Sequence, residues 1–271
     1  IIFLGASELG ALFIGFIGVS VNIIVQHGTT KRRQKKDLYH QLIYSGVSHH
    51  VAISEHIARN IQNILPIDKS RISIIYSPVK IDSDQKVLSD SNAKVQILHV
   101  GRIAKGKGQM DAIEALQSLH DQSIDFEMKF VGAFEDQEYY NELTRLTDSK
   151  DYKHHIQFVG HTDDVNHYYR NSDILLFPSY GEGMGNTFLE ALSHGLSCIC
   201  YNNTAFPELQ QYQLTYYMAE YRKIQSLQRQ LVQAITDRTR IMSKLKENQQ
   251  IISSNFSIDS AVGKFEKLLI D

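Results

Sequence analysis

Two α/β domains, each built on a parallel sheet, are what the sequence predicts, and three observations carry that expectation. From about residue 94 onward, short aliphatic runs alternate with helical patterns, the order that sets parallel strands side by side beneath helices. Three successive runs end in Val-Gly, at Gly101, Gly132 and Gly160, which clears the carboxyl edge where open α/β sheets take ligands. The segment up to about residue 80 repeats the alternation in shorter form. The expected fold is therefore a pair of Rossmann-like domains, the first incomplete, followed by a helical tail.

In chain order, "IIFLGAS" (1–7) and "VNIIVQHG" (21–28) read as strands. Residues 9–25 carry no charge, but three glycines break the run, and it is short of the ~20 residues a membrane span needs. It reads as a buried helix leading into a β-branched strand. "HVAIS" (50–54) and "RISIIYSP" (71–78) supply two more strands. Ile81–Ala93, "IDSDQKVLSDSNA", is polar and aperiodic and is the expected linker. Beyond it, "VQILHVGR" (95–102), "FEMKFVGAF" (126–134), "IQFVGHT" (156–162), "DILLFPSYG" (173–181) and "SCICYN" (197–202) read as buried strands. "QMDAIEALQSLHD", "DQEYYNELTRLTDS", "DDVNHYYRNS" and "GNTFLEALSHG" read as the helices between them.

From Tyr221 apolar residues recur near helical spacing, implying one long amphipathic helix or two shorter ones. "FSIDSAVGKFEKLLID" adds a last helix with Ser257 as its N-cap. The expected boundaries are 1–82 for the first domain, 83–250 for the second, and 251–271 for a final helix packing back on the first. Ile1 already stands inside an apolar segment, so the first domain is expected to lack its opening part.

The 271 residues carry a net charge of −2, which argues against a nucleic-acid protein relying on global basicity. Cys198 and Cys200 sit at i and i+2 in "LSCICY", on one face of a strand, and read as buried free thiols. Twelve histidines include pairs at 49–50 and 154–155, but there is no HExxH or Cys/His set, so no metal is expected. One basic run stands out: "KRRQKK", with Lys31, Arg32, Arg33, Lys35 and Lys36. It is either a solvated charged face or a segment drawn to an anionic membrane or a phosphorylated glycolipid.

Two stretches carry chemistry. In "YGEGMGNTFLEALSHG" (180–195) glycines remove side chains where the backbone turns into a helix. Gly185 or Asn186 serves as the N-cap, and the free N–H groups behind it form an anion site suited to phosphate. Glu182 lies before the turn and Glu190 about one turn inside the helix, so they do not form a proton-sharing pair. They suit hydroxyl groups on two parts of an elongated ligand. In "VGRIAKGKGQM" (100–110), Arg102 follows Gly101, and Lys107 lies between Gly106 and Gly108. Fixed cations there would neutralise a diphosphate and stabilise it as a leaving group. The spacing is not that of a Walker A loop.

With "KFVGAF", "QFVGHT" and "FPEL" in the same order, these stretches resemble the retaining, nucleotide-sugar-dependent glycosyltransferases of GT-B fold, the bacterial group 1 type. The resemblance implies that Arg102 and Lys107 bind the donor diphosphate. Glu182, with the backbone of Gly183, Met184, Gly185 and Asn186, would hold the transferred sugar and the adjacent phosphate. Thr187 would add a phosphate contact, Glu190 would bind the ribose, and Gly160 and His161 would meet the base. His27, at the end of "VNIIVQHG", matches a histidine that faces the donor sugar. The alternative for His27 is a strand-end histidine bonded to a loop.

The implied reaction transfers a sugar from a nucleoside-diphosphate donor to a glycan or glycolipid hydroxyl with retention, without cofactor or metal. The implied setting is cytoplasmic, or peripheral on the inner face of the cell membrane, in envelope polysaccharide or lipopolysaccharide synthesis. Competing readings are an inactive nucleotide-sugar-binding scaffold and a sugar-nucleotide epimerase of similar architecture. "IIYSPVKID" departs from the family's usual Asn-Gly-Val-Asp at that point.

Overall fold

The computed structural model describes residues 2–6, 9, 22–81, 94–237 and 241–270. The helix expected from residue 9 and nearly all of the linker expected over 81–93 lie outside them. The chain divides into two compact units. One comprises Ile1–Pro78, Glu182–Met184 and Ile258–Asp271, and the other Val79–Gly181 and Gly185–Ser257.

The first unit holds a parallel sheet in the order β1-β2-β3-β4, made of Ile2–Gly5, Ile23–His27, His49–Ala52 and Ile72–Ile74. The fourth strand is shorter than the run expected over 71–78, in keeping with Pro78, which has no N–H for a ladder. Helix α1, Leu38–Ser45, starts at Asp37, whose side chain accepts from the His40 backbone N–H. Helix α2, Glu55–Ile64, starts at Ser54, which caps the Ile57 N–H, and turns Ile57 and Ile61 inward. The last helix of the chain, Ile258–Ile270, sets Ala261 into a cluster with Ile24, Val51 and Ile75.

The second unit carries six parallel strands. They are β5 (Val95–Val100), β6 (Phe126–Val131), β7 (Ile156–Gly160), β8 (Ile174–Phe177), β9 (Ser197–Tyr201) and β10 (Tyr217–Ala219). Their spatial order is β10-β9-β8-β5-β6-β7. The chain thus starts at β5, builds outward to β7, then returns to β8 on the other side. The crevice beyond the carboxyl ends of β5 and β8 is the topological switch point, where such sheets take ligands. β8 and β9 are buried along their whole length, as "ILLF" and "SCICY" require, and Cys198 and Cys200 are buried and free.

Between the strands lie α3 (Gln109–Ala115), α4 (Gln117–Asp121), α5 (Gln137–Asp148), α6 (Val165–Arg170) and α7 (Asn186–Ser193). The single helix expected over 109–121 is two. The Leu116 N–H is shared between the carbonyls of Ala112 (3.3 Å) and Ile113 (3.2 Å), a tightening that ends the α pattern. The amphipathic tail is also two helices, α8 (Ile224–Thr236) and α9 (Met242–Phe256), before α10 (Ile258–Ile270).

Three histidines are fully or almost fully buried on strands. His99 lies against Phe130 and Phe177, and its Nδ1 donates to the Leu176 carbonyl at 2.9 Å. His27 and His50 meet side by side, Nε2 to Nδ1, at 3.1 Å. Burial lowers all three pKa values, to about 3 for His27 and about 4 for His50 and His99. Below the ordinary histidine pKa the unfolded chain therefore binds protons that the native one does not. Their contribution to stability is complete above about pH 6.5 and falls steadily as the pH drops towards 4. His99→Phe is expected to flatten the fall of the urea midpoint between pH 6.5 and 4 relative to wild type. Parallel curves for the two proteins would show that His99 takes no part in it.

Candidate active site

Two loops leave the switch point, one after β5 and one after β8. The first runs from Gly101 to Gly108 and is tied down through its main chain. Ile103 N–H donates to the Ala133 carbonyl (2.8 Å), and Lys107 N–H to that of Ala104 (3.1 Å). Buried Gln109 donates to the Arg102 carbonyl (2.9 Å) and accepts from the Tyr139 hydroxyl (3.2 Å). The second loop joins the first by main-chain contact, with Tyr180 N–H donating to the Gly106 carbonyl at 2.8 Å.

Gly108 is where the two backbones touch. Its φ is +80°, and a Cβ there would lie 2.0 Å from the Pro178 carbonyl oxygen. Only glycine meets both requirements. Gly185 has the parallel task at the other end of the second loop. It is the N-cap of α7 with φ +79°, and a Cβ would stand 2.9 Å from the Phe206 ring. Asn186, the other candidate cap, is the first helical residue. Phe188 and Leu189 N–H groups return to the Gly185 carbonyl. Among the described residues, no acceptor engages the N–H of Asn186 or Thr187. A helix start of this kind attracts an anion.

The side chains fall around this frame. Lys107 is half-buried, and its charge is among the causes that lower the pKa of His99 on β5. Arg102 is exposed and paired with Glu135 at 2.6 Å, so a diphosphate engaging it competes with that carboxylate. Glu182 is half-buried in the second loop, and Met184 beside it is buried. Glu190, inside α7, accepts a hydrogen bond from the Tyr169 hydroxyl at 3.1 Å. Tyr169 is fully buried, and its pKa is raised well above the ordinary value by burial and then by the Glu190 charge, so it stays a donor.

Gly160 ends β7 with φ +86° and its carbonyl accepts from Gly132 N–H at 2.8 Å. His161 is exposed and pairs with exposed Asp163 at 3.3 Å. His27 ends β2 in the first unit, and burial keeps it neutral, so it can donate a hydrogen bond but supplies no charge.

Four further residues, Asp111, Tyr180, Tyr201 and Arg222, leave no sign in the sequence. Asp111, in the first turn of α3, accepts from Tyr180 (2.9 Å) and Tyr201 (2.6 Å), one hydroxyl on each carboxylate oxygen. Burial, then the bond to Asp111, pushes the Tyr180 pKa up to about 12. The Arg222 guanidinium lies over the Tyr180 ring, 4.2 Å from its centre. Acidic residues in a first helical turn ordinarily answer the helix dipole, and nothing local distinguishes one that also bridges two tyrosines.

Because Tyr169 donates to Glu190 from a rigid buried position, Tyr169→Phe removes that bond and lets the carboxylate swing. Were Glu190 to hold the ribose, as the sequence resemblance implies, nucleoside-diphosphate affinity read by calorimetry would fall about threefold to tenfold, the worth of one hydrogen bond. An unchanged affinity would show that Glu190 needs no such support.

Residues 80–254 match the family model for glycosyl transferases group 1, and the chain belongs to that family. A curated Escherichia coli relative, a UDP-Gal:alpha-D-GlcNAc-diphosphoundecaprenol alpha-1,3-galactosyltransferase, is 27% identical over 219 residues, 76% of this chain and 56% of its own length. An uncharacterised Haemophilus influenzae glycosyltransferase is 24% identical over 174 residues, 64% of this chain and 48% of its own. The chain thus spans about half the length of the curated relatives it matches. Among solved structures, Anabaena HepE in complex with UDP and glucose superposes with a TM-score of 0.83 at 18% identity, covering 98% of this chain and 77% of that one. A Rickettsia africae glycosyltransferase gives 0.82 at 19%, covering 94% and 72%. The fold is that of the GT-B glycosyltransferases.

Proposed function

We propose that the protein transfers a sugar from a nucleoside-diphosphate donor to a hydroxyl acceptor with retention at the anomeric carbon. The observation that carries the reading is the convergence, at the β5/β8 switch point, of a cationic loop, an open helix start and a glutamate-bearing loop joined by main-chain contact. The helix start and Lys107 suit a diphosphate, Arg102 adds a second cation, and Glu182 and Glu190 suit the hydroxyls of sugar and ribose.

In the transfer, the acceptor hydroxyl approaches the anomeric carbon from the face the diphosphate leaves. The carbon–oxygen bond to the diphosphate breaks with its electron pair going to the phosphate oxygen, and the acceptor's proton passes to that oxygen. Charge that develops on the leaving group is met by groups already in place. No cofactor or metal enters this reading. Glu190→Ala is expected to weaken donor binding while sparing the rate at saturating donor, because the ribose contact is the same in ground and transition states.

An acceptor presented on a membrane suits the reading, given the E. coli relative that acts on a diphosphoundecaprenol-linked sugar. Among the described residues no helix is long and apolar enough to cross a membrane. On the strength of that relative and of the basic run at 31–36, we propose a peripheral enzyme on the inner face of the membrane, working in envelope polysaccharide or lipopolysaccharide synthesis. The test is a panel of nucleotide sugars assayed with and without lipid-linked acceptors. Acceptor-dependent release of nucleoside diphosphate, with the new linkage keeping the donor's anomeric configuration by NMR, is the expected result. Binding without turnover in every combination would favour a scaffold, and an inverted product would remove the retaining mechanism.

A further inference from the structure

The first unit has a surface that the donor chemistry does not use. Helix α1 is held to its unit by Ile43 and Tyr44, both buried. Its outer side is apolar as well: Leu38 is 82% exposed, Leu42 63% and Tyr39 61%. At about 100° per residue these three fall within one quadrant or so of the helix. Single exposed apolar side chains are ordinary, but three adjoining ones on one short helix are not.

The five cations of "KRRQKK" come immediately before this helix. Their backbone is ordered by hydrogen bonds at both ends. Lys31 N–H donates to Asn60 Oδ1 (2.8 Å), and Asn60 Nδ2 returns to the Lys31 carbonyl (3.0 Å). Lys35 N–H donates to the Ile64 carbonyl (3.0 Å), and Gln41 Nε2 to that of Lys36 (2.9 Å). Among the described residues none of the five forms an ion pair with a carboxylate. The nearest acid in sequence, Asp37, is engaged with His40 through both its oxygens.

We propose that Leu38, Tyr39 and Leu42, flanked by the basic run, dock the first unit on an anionic lipid surface. This deepens the peripheral placement above and rests on it. Cations draw the segment to the charged headgroups, and the apolar face enters the boundary between headgroups and acyl chains. Each half of the surface argues against a different partner. A second copy of the chain would bring two sets of five cations together, and a nucleic acid has no use for three outward apolar side chains.

The sequence contains no tryptophan, so Tyr39→Trp provides a single reporter. Co-sedimentation is measured with phosphatidylcholine vesicles, with and without phosphatidylglycerol. Wild type and Tyr39→Trp are expected to bind only where phosphatidylglycerol is present, and the emission of Tyr39→Trp is expected to shift to the blue on binding. Leu38→Ser/Leu42→Ser should lower that partitioning by about tenfold or more. Neutralising all five basic residues should abolish the preference for the anionic lipid. Leu38, Tyr39, Leu42, Arg32, Arg33 and Lys36 are exposed and Lys31 and Lys35 half-buried, and circular dichroism checks that each variant keeps its fold.

Equal partitioning of Leu38→Ser/Leu42→Ser and wild type, an unshifted emission in the bound state, or no vesicle binding would each overturn the proposal. So would binding to soluble polyglutamate as tight as to vesicles, which would make the surface one for an acidic polypeptide. UDP binding, measured on the same proteins, separates the two readings. Its absence in wild type would count against the donor site, and the vesicle result would still decide the docking surface.

Discussion

Lys107→Ala is expected to lower turnover by about 10²–10³, the usual cost of removing one preorganised group that meets charge in the transition state. What decides the size of the loss is where that charge appears. In the transfer proposed here the diphosphate gains negative charge as the glycosidic bond breaks. Lys107 stands on a loop held by main-chain bonds on both sides, at Ala104 and, through Gly106, at Tyr180. It therefore needs little rearrangement when the bond breaks. Glu182→Ala should give a loss of similar kind, because that residue would hold the sugar in the geometry of departure. Donor affinity should change far less than turnover in both, the pattern of an interaction realised mainly in the transition state. Near-normal turnover in the two variants, measured with the acceptor identified by the panel above, would remove them from the site.

Gly108→Ala should be among the most damaging small substitutions in the second unit. The new side chain faces two separate costs. Holding a left-handed backbone on an L residue costs about 1–2 kcal/mol. The Cβ would also sit 2.0 Å from the Pro178 carbonyl, and overpacking that forces a backbone shift costs about 1–3 kcal/mol more. A total near 3 kcal/mol should appear as a lower urea midpoint with an unchanged slope. The same shift parts the two loops, so nucleoside-diphosphate affinity should fall too. A variant as stable as wild type would mean that the contact between the loops is soft.

Much of this fold was legible because a parallel sheet buried on both faces writes itself as uninterrupted aliphatic runs. "DILLF" and "SCICY" needed no further clue, and the Val-Gly endings marked the carboxyl edge. Element ends were less visible. Strand β10 has three residues, "YMA", and carries no period to read. The break at Leu116 arises from carbonyl sharing within one turn and leaves no signature in "EALQS".

The candidate site divides in the same way. Gly185 could be named as the helix cap from its local backbone, while Lys107 and Glu190 were named from motif order alone. Asp111 was invisible since its two partners are 69 and 90 positions away. Tyr169 likewise finds Glu190 only across 21 positions, by reaching its hydroxyl from α6 to α7. The apolar face of α1 was obscured differently. "LYHQLIYS" has large apolar or aromatic residues at Leu38, Tyr39, Leu42, Ile43 and Tyr44, and composition alone does not say which of them turn inward.

The bond from Tyr180 N–H to the Gly106 carbonyl joins the loops after β5 and β8 main chain to main chain, beside the close approach of Gly108 to Pro178. Such bonds ask nothing of side-chain identity beyond room for the backbone to approach. The frame of the site can therefore be inherited through long sequence drift, while the few glycines and charged residues set in it are the positions at which a change alters chemistry. Two descendants could share this frame almost atom for atom and still accept different sugars.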